Sequence, residues 1–201
     1  MPESILNDMG LSLHPRIALR MDSQQKQQIQ IGFLTVRKHS SLGFVGGLLV
    51  LNGLARPVEF HCTLPLLPTR AQQLLYGATL DEFVAGEQIG RALLAKAKAK
   101  PQVVLTDTLA ALSVRLLVES PIAAIDSSWS KNEATLTYPR PTREAWHRIN
   151  IEGYKLLTMQ EFAVDSKQIE AFLGSISIDL IEPFGRIEGA LMEAHPATKA
   201  A

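Results

Sequence analysis

The chain has 201 residues, 46% of them hydrophobic and 20% charged, which is the composition of a globular domain. Twenty basic residues balance twenty acidic ones, so no long-range field attracts nucleic acid or an anionic membrane. The single cysteine, Cys62, excludes an intramolecular disulfide and a cysteine-rich metal site. It favours a reducing compartment, and we expect a cytoplasmic protein. The longest apolar stretch, Leu42–Leu51, is too short to span a bilayer as a helix, so we predict no membrane association.

One α/β domain is predicted over residues 29–194, between an N-terminal arm or short helix at 1–28 and a tail at 195–201. Its first part contains three predicted β-strands, at 29–36, 44–51 and 56–63. The Asn52-Gly53 dipeptide is a strong hairpin signal, so the second and third strands should be antiparallel neighbours. Gly46 and Gly47 lie inside the second strand, where they indicate close packing or a bulge and not a phosphate-binding loop.

Helices and short strands alternate in the rest of the domain. Thr69 is the predicted N-cap of a helix at 70–76, and a longer helix runs from about 80 to 98, before Pro101. Apolar strands at 102–106 and 121–125 enclose a helix at 108–119, which is the pattern of a βαβ unit with parallel, buried strands. The region 143–162 is ambiguous between helix and strand, and helices are predicted at 165–176 and 182–194.

The predicted order of elements is β-β-β-α-β-α-β in a mixed sheet, followed by C-terminal helices. An antiparallel meander of three strands, then two parallel strands with intervening helices, is the order of the ribonuclease H-like fold. That fold is therefore our first hypothesis, and another mixed-sheet α/β fold is the second.

Residues 76–128 resemble the central part of the endonuclease V family. That family has a helix carrying a Glu, then a Lys-Pro lead-in to a strand that ends in Asp, then a helix and a strand. Here Lys100-Pro101 precedes the strand, and Glu87 and Asp107 fall at the places of the two acids. The resemblance implies a nuclease in which these carboxylates bind Mg²⁺, an ion that prefers hard oxygen ligands.

The family pattern also includes an acid in the middle of the first strand, and this sequence lacks it. Ile29–His39 contains no Asp or Glu, and Thr35, Arg37 and Lys38 occupy the region of the missing acid. The "DGHG"-type run is absent as well, because Asp107 is followed by Thr-Leu-Ala. If the fold prediction holds, we therefore expect a diverged member with a different or lost activity.

Each candidate acid has an alternative structural role. Asp107 could be the N-cap of the helix that follows it, and Asp126, at the end of the next strand, could cap local backbone groups. As catalytic residues, two acids at the ends of adjacent parallel strands would share one site. Glu87 could pair with Arg91 one helical turn away, and we prefer this pairing to a ligand role.

Aromatic residues alternate with arginines near position 140. Such side chains could stack on a nucleic-acid strand or form a protein-binding surface. The zero net charge favours a protein partner over nucleic acid. The predicted contact residues are Trp129, Arg140, Arg143, Trp146 and Arg148.

Two functional hypotheses follow. The preferred one is a non-enzymatic interaction or assembly protein on a ribonuclease H-like scaffold, without a cofactor, which has a protein partner and is a diverged nuclease relative able to contact nucleic acid. The alternative is a Mg²⁺-dependent nuclease acting on DNA or RNA. Its catalytic residues would be Glu87, Asp107 and Asp126, with Glu87 and Asp107 as the metal ligands.

Overall fold

A computed structural model describes residues 26–40, 42–125, 146–151 and 153–196. Seven of their segments form one mixed β-sheet with helices on both faces, in the strand order β3-β2-β1-β4-β5-β7-β6. The strands are β1 (Gln30–His39), β2 (Gly43–Asn52), β3 (Pro57–Cys62), β4 (Val103–Thr106), β5 (Ile122–Ile125), β6 (Trp146–Ile151) and β7 (Tyr154–Met159). The chain is therefore an α/β protein, as predicted.

The first three strands form an antiparallel meander. β1 pairs with β2 along its whole length, and β2 pairs with β3, which confirms the predicted antiparallel neighbours. The turn between β2 and β3 is longer than the two residues expected. The Asn52 side chain accepts hydrogen bonds from the N–H groups of Leu54 and Arg56, and Ala55 has a φ of +58°. The asparagine thus organises the turn through its own side chain.

β4 and β5 extend the sheet beyond β1, parallel to it and to each other. Both strands are almost completely buried, as expected for strands covered on both faces. The chain between them forms a 3₁₀ helix, Leu109–Leu116, where an α-helix was predicted. Asp107, the residue considered as the cap of that α-helix, uses its carboxylate elsewhere.

Two helical segments follow β3. Helix α1 (Arg70–Tyr76) begins with a capping box, in which the Thr69 hydroxyl accepts from the N–H of Gln72 and the Gln72 side chain accepts from the N–H of Thr69. The predicted N-cap is confirmed, and Gly77, with a φ of +50°, ends the helix. The helical run from Gly77 to Lys96 is called α2. It consists of a 3₁₀ turn (Gly77–Thr79), an α turn (Leu80–Glu82), a π-helix (Phe83–Gly90) and an α-helix (Arg91–Lys96).

Within the region that the sequence left ambiguous, residues 146–151 and 154–159 are strands. β6 and β7 pair with each other, and β7 pairs antiparallel to β5, so the sheet has two strands that the predicted order lacked. Helices α3 (Asp165–Leu173) and α4 (Glu182–Ala194) follow, close to their predicted bounds. In the described part of the chain, none of the helices has the length and hydropathy needed to cross a bilayer.

The sheet separates two hydrophobic clusters. On one face, Ile31 and Phe33 pack against α3 and α4, and Phe33 meets Phe184 edge to face with ring centroids 5.5 Å apart. On the other face, Leu34 packs against α2 and the 3₁₀ helix. Since side chains alternate along a strand, the odd-numbered residues of β1 face α4 and the even-numbered residues face α2.

One carboxylate fastens the edge strand β3 to the chain that follows α2. Glu59 accepts hydrogen bonds from the N–H groups of Ala99 at 2.8 Å and Lys98 at 3.2 Å, and its Oε1 lies 2.5 Å from His61 Nε2. These hydrogen bonds, that of Ala99 first, lower the pKa of Glu59 to about 2. His61 therefore pairs with Glu59 and not with its exposed neighbour Cys62, as expected for adjacent residues of a strand.

Glu59→Gln should lower the Tm at neutral pH and have little effect near pH 2. A carboxyl group whose pKa falls from 4.5 to about 2 on folding stabilises the protein fully above the unfolded value, and this stabilisation is lost as the pH falls through the folded value. The difference in Tm between wild type and variant should therefore shrink as the pH falls from 4.5 to about 2. Thermal denaturation followed by circular dichroism measures it, and a difference independent of pH would contradict the assignment.

Candidate functional site

Two charged side chains meet where the parallel strands β1 and β4 end. Arg37, on β1, forms a bidentate ion pair with Asp107, which directly follows β4: Nη2 lies 2.6 Å from Oδ2, and Nη1 lies 3.2 Å from Oδ1. The two side chains are 31% and 21% exposed, so water screens the pair only in part. The bidentate geometry is among the strongest that a guanidinium and a carboxylate can form.

Two threonines orient the Asp107 carboxylate. Thr35, fully buried on β1, donates from Oγ1 to Asp107 Oδ1 at 3.1 Å. Thr108 Oγ1 lies 3.1 Å from the same oxygen and accepts a hydrogen bond from the N–H of Val36. Asp107 is thus the ion-pair partner of Arg37 on β1. It does not act as the N-cap of the following helix, the alternative role considered from the sequence.

A second carboxylate reaches Arg37 from helix α4. Glu188 Oε1 lies 3.4 Å from Arg37 Nε and is nearly half exposed. Burial alone would lower the pKa of Arg37, but the hydrogen bonds and charges of Asp107 and Glu188 outweigh it and raise the pKa above its ordinary value. Arg37 is therefore a permanent cation. Beside it lies a small crevice lined also by His39 and Met192.

Glu87 lies apart from this cluster. Its helix α2 packs through Val84 and Ile89 on the even-numbered face of β1, whereas Arg37 lies on the odd-numbered face. The Glu87 side chain is exposed and forms no hydrogen bond or ion pair with any described residue. The predicted pair with Arg91 is therefore not formed, because π-helical bonding shifts neighbours at the i,i+4 spacing out of line.

The magnesium site that the family resemblance implies does not fit these residues. Mg²⁺ requires a near-octahedral shell of oxygen ligands, in which one or two carboxylates are completed by water and substrate phosphates. Both oxygens of Asp107 already bind Arg37, and Glu87 is on the other layer of the protein. Within residues 26–40, 42–125, 146–151 and 153–196, no three His, Cys, Asp or Glu side chains form a group able to hold a metal. The structure does not bring the two predicted ligands together, because α2, which carries Glu87, packs on the other face of the sheet from the Arg37–Asp107 pair.

The other predicted site residues fall into two groups. Four of them lie outside the described residues: Asp126, Trp129, Arg140 and Arg143. Trp146, at the start of β6, is partly buried and packs against the same hydrophobic cluster as α2, so it contributes to the core. Arg148, on the same strand, is exposed.

Sequence reasoning identified Thr35 and Arg37 only as replacements for a missing acid, and it missed Glu188. A basic residue near the end of the first strand and an acid after a later apolar strand were the available signals. They become a site only when β1 and β4 are known to be neighbours, since Arg37 and Asp107 are 70 positions apart.

No protein-family model and no curated protein matches the chain. It has a weak structural resemblance to endonuclease V from Ciona intestinalis, solved in complex with DNA that contains an inosine followed by a ribo-adenosine. For the variant with a 23-mer DNA, the TM-score is 0.32 and the identity 15%, over 56% of this chain and 58% of that chain. For the complex with a 24-mer, the TM-score is 0.32 and the identity 17%, over 55% and 57%. The chain therefore spans little more than half the length of these proteins.

Proposed function

We propose that this protein is a non-enzymatic interaction or assembly protein on a ribonuclease H-like scaffold. The strand order β3-β2-β1-β4-β5, an antiparallel meander followed by two parallel strands, supports the scaffold assignment. The observation that carries the functional part is the ion pair of Arg37 with Asp107. Two-metal phosphodiester cleavage needs clustered carboxylates near these strand ends. Here the neighbours of Asp107 are instead the cation Arg37 and the neutral Thr35.

The electrostatics of this cluster oppose a divalent cation. Arg37 does not lose its proton, because Asp107 and Glu188 raise its pKa further. A second cation about 4 Å from the guanidinium would be repelled by roughly 4 kcal/mol for each unit of its charge, at an effective dielectric constant of 20. Mg²⁺ would therefore have to displace Arg37 and break a bidentate pair before it could bind Asp107.

A protein partner is favoured over nucleic acid because basic and acidic residues are equal in number. Arg148 is exposed on the edge strand β6 and belongs to the proposed contact surface. Arginine is enriched at protein interfaces, where it contributes more binding energy than most residues.

The double variant Thr35→Asp with Arg37→Leu should acquire the metal affinity that the wild type lacks. The new carboxylate would lie beside Asp107, at the position of a hydroxyl now 3.1 Å from it, and the competing cation would be gone. A ligand present at ten times its Kd adds about 1.4 kcal/mol of stability. For a chain of this size, that corresponds to a rise in Tm of roughly 3–6 °C. Thermal shift with Mg²⁺ and Mn²⁺ measures the effect.

The matched control is Thr35→Asn with Arg37→Leu, which has the same shape and no added charge, and its Tm should not respond to metal. A cleavage assay with labelled single-stranded and duplex DNA and RNA accompanies the titration. No metal-dependent rise in Tm and no cleavage are expected for the wild type. Cleavage by the wild type that is lost in Asp107→Asn would overturn the proposal and support the Mg²⁺-dependent nuclease instead.

A further inference from the structure

Three lysines follow one another closely where the chain leaves helix α2. Lys96, Lys98 and Lys100 alternate with two alanines, of which Ala97 is buried and Ala99 packs against the hydrophobic cluster that α2 covers. Because the alanines face the core, the lysines are exposed to solvent. Only Lys96 belongs to the last turn of the helix, so the helix dipole does not account for the other two.

Strand pairing brings a fourth cation near these lysines. The N–H of Lys100 donates to the side chain of Gln30, at the start of β1, at 3.0 Å. Gln30 pairs with Asn52 on β2, whose N–H donates to the carbonyl of Arg56. The exposed Arg56 is therefore two strand spacings, roughly 10 Å, from the start of β1. The four cations are called the basic cluster: Arg56, Lys96, Lys98 and Lys100.

No acid among the described residues forms an ion pair with the basic cluster. The ammonium group of Lys100 reaches a backbone carbonyl of its own segment at 3.4 Å, and the other three side chains have no partner within the described part of the chain. Glu59 does contact this segment, but its two oxygens accept from the backbone N–H groups of Lys98 and Ala99. The side-chain charges of the cluster are thus available to an anion from outside.

The backbone that carries the lysines is fixed before any partner binds. Three consecutive N–H groups, those of residues 98–100, donate to side-chain oxygens of Glu59 on β3 and Gln30 on β1. The buried Pro101 follows directly, and its carbonyl accepts from the hydroxyl of Ser120 at 3.3 Å. A surface held in this way loses little conformational entropy when it binds, which favours affinity.

The basic cluster is short because negative charge limits it on both sides. On one side, Ser120 contacts the proline that follows the lysines, and its neighbour Glu119 is exposed. On the other side, Arg186 donates to the carbonyl of Ala55 at 3.0 Å, but Glu182 already neutralises this arginine. A long polyanion lying across the cluster would therefore meet an acid on one side and find no free cation on the other.

We infer that the basic cluster binds a short acidic segment of a partner protein, in which several carboxylates lie close together. This inference rests on the proposed interaction function and names the chemistry of the partner. Four cations without counter-charges are complementary to an anion. The zero net charge of the chain cancels their field beyond a Debye length of about 10 Å, so a nucleic-acid duplex or an anionic bilayer gains little from the rest of the surface.

Fluorescence anisotropy with a labelled hexapeptide of alternating Asp and Glu tests this binding. Wild type should bind it with a Kd below about 1 mM at an ionic strength of about 0.1 M. At about 1 M the Debye length falls to about 3 Å, so the affinity should decrease. A hexapeptide of alternating Asn and Gln has the same shape without the charge and should not bind. A Kd above about 1 mM for the acidic peptide, or equal affinity for the two peptides, would overturn the inference.

Lys98→Gln with Lys100→Gln locates the binding site. This double variant removes two charge pairs and should raise the Kd for the acidic peptide at least about fivefold. Both side chains are exposed and their backbone N–H groups remain, so the Tm should not change. Arg70→Gln with Lys167→Gln is the matched control, because it changes the net charge equally at exposed positions outside the cluster. Equal Kd values for the two double variants would show that the cluster is not the site.

Single-stranded DNA of the same charge as the peptide, and vesicles containing phosphatidylserine, separate the three kinds of anion. Tighter binding of either one than of the acidic peptide, lost in Lys98→Gln with Lys100→Gln, would refute the acidic protein segment as the occupant. Failure of the peptide to bind leaves the proposed function standing, because that function is tested by metal binding and cleavage. Conversely, nucleic-acid cleavage by the wild type would overturn the proposed function without changing the affinity for the peptide.

Discussion

Replacing Asp165 with alanine is expected to lower the free energy of unfolding by about 3–5 kcal/mol, the cost of breaking a buried ion pair from one side. Asp165 begins helix α3, and Arg115, near the end of the 3₁₀ helix, binds both of its oxygens. Nε lies 2.7 Å from Oδ2 and Nη2 lies 3.3 Å from Oδ1. The side chains are only 15% and 8% exposed, so the variant would leave a guanidinium with neither a counter-charge nor much water.

Arg115 also contacts the chain segments that flank this pair. Its Nη1 donates to the carbonyl of Val118 at 2.7 Å, and its Cζ lies 4.2 Å from the centre of the Phe162 ring. Arg115→Met should therefore also lower the free energy of unfolding, because it leaves the Asp165 carboxylate buried and unpaired. The double variant, Asp165→Ala with Arg115→Met, leaves no buried charge without a partner. Its loss in free energy of unfolding should therefore be about 0.5–3 kcal/mol smaller than the sum of the two single losses.

Glu182→Ala is the control for these variants. Glu182 pairs with Arg186 one turn along α4, but those side chains are 49% and 39% exposed. An exposed pair of this kind contributes less than about 1 kcal/mol, and water replaces the lost partner. Urea denaturation followed by circular dichroism gives all four free energies. If Asp165→Ala cost no more than Glu182→Ala, the pair would not be the buried contact described.

The elements predicted correctly depend on signals within a few residues. The meander follows from apolar runs separated by turn residues, and helix α1 from Thr69 and Gln72, which cap it without help from the rest of the chain. Parallel β4 and β5 follow from two short apolar runs with a helical segment between them. Local chemistry therefore determined most of the sheet up to β5.

The features that were missed depend on residues distant in sequence. β6 exposes Arg148 and Asn150, so its apolar residues alone did not distinguish a strand from a helix. The segment is a strand because it pairs with β7. The role of Asp107 likewise depends on Arg37 and Glu188, which approach it only through strand pairing and helix packing. Ion pairs of this kind leave no periodic pattern in a sequence.

Gly46→Ala is expected to lower the free energy of unfolding by about 1–3 kcal/mol, the cost of overfilling a packed core. Gly46 and Gly47 are adjacent on β2 and face opposite layers. A Cβ on Gly46 would overlap Cγ2 of Ile89 in α2, and one on Gly47 would lie 2.5 Å from Cγ2 of Ile187 in α4. The close packing predicted from these glycines is therefore confirmed on both faces of the sheet.

Ile89→Ala tests whether that overlap is the cause. Alone, this variant should lower the free energy of unfolding by about 2–5 kcal/mol, because it leaves a cavity beside β2. Combined with Gly46→Ala it should cost less than the sum, since the new methyl group fills part of the space that the isoleucine vacates. Gly189→Ala, where a Cβ meets no atom within 4 Å, is the control and should stabilise the helix by up to about 1 kcal/mol. If the two losses were simply additive, α2 would be able to shift away from β2, and Gly46 would not be what sets the distance between helix and sheet.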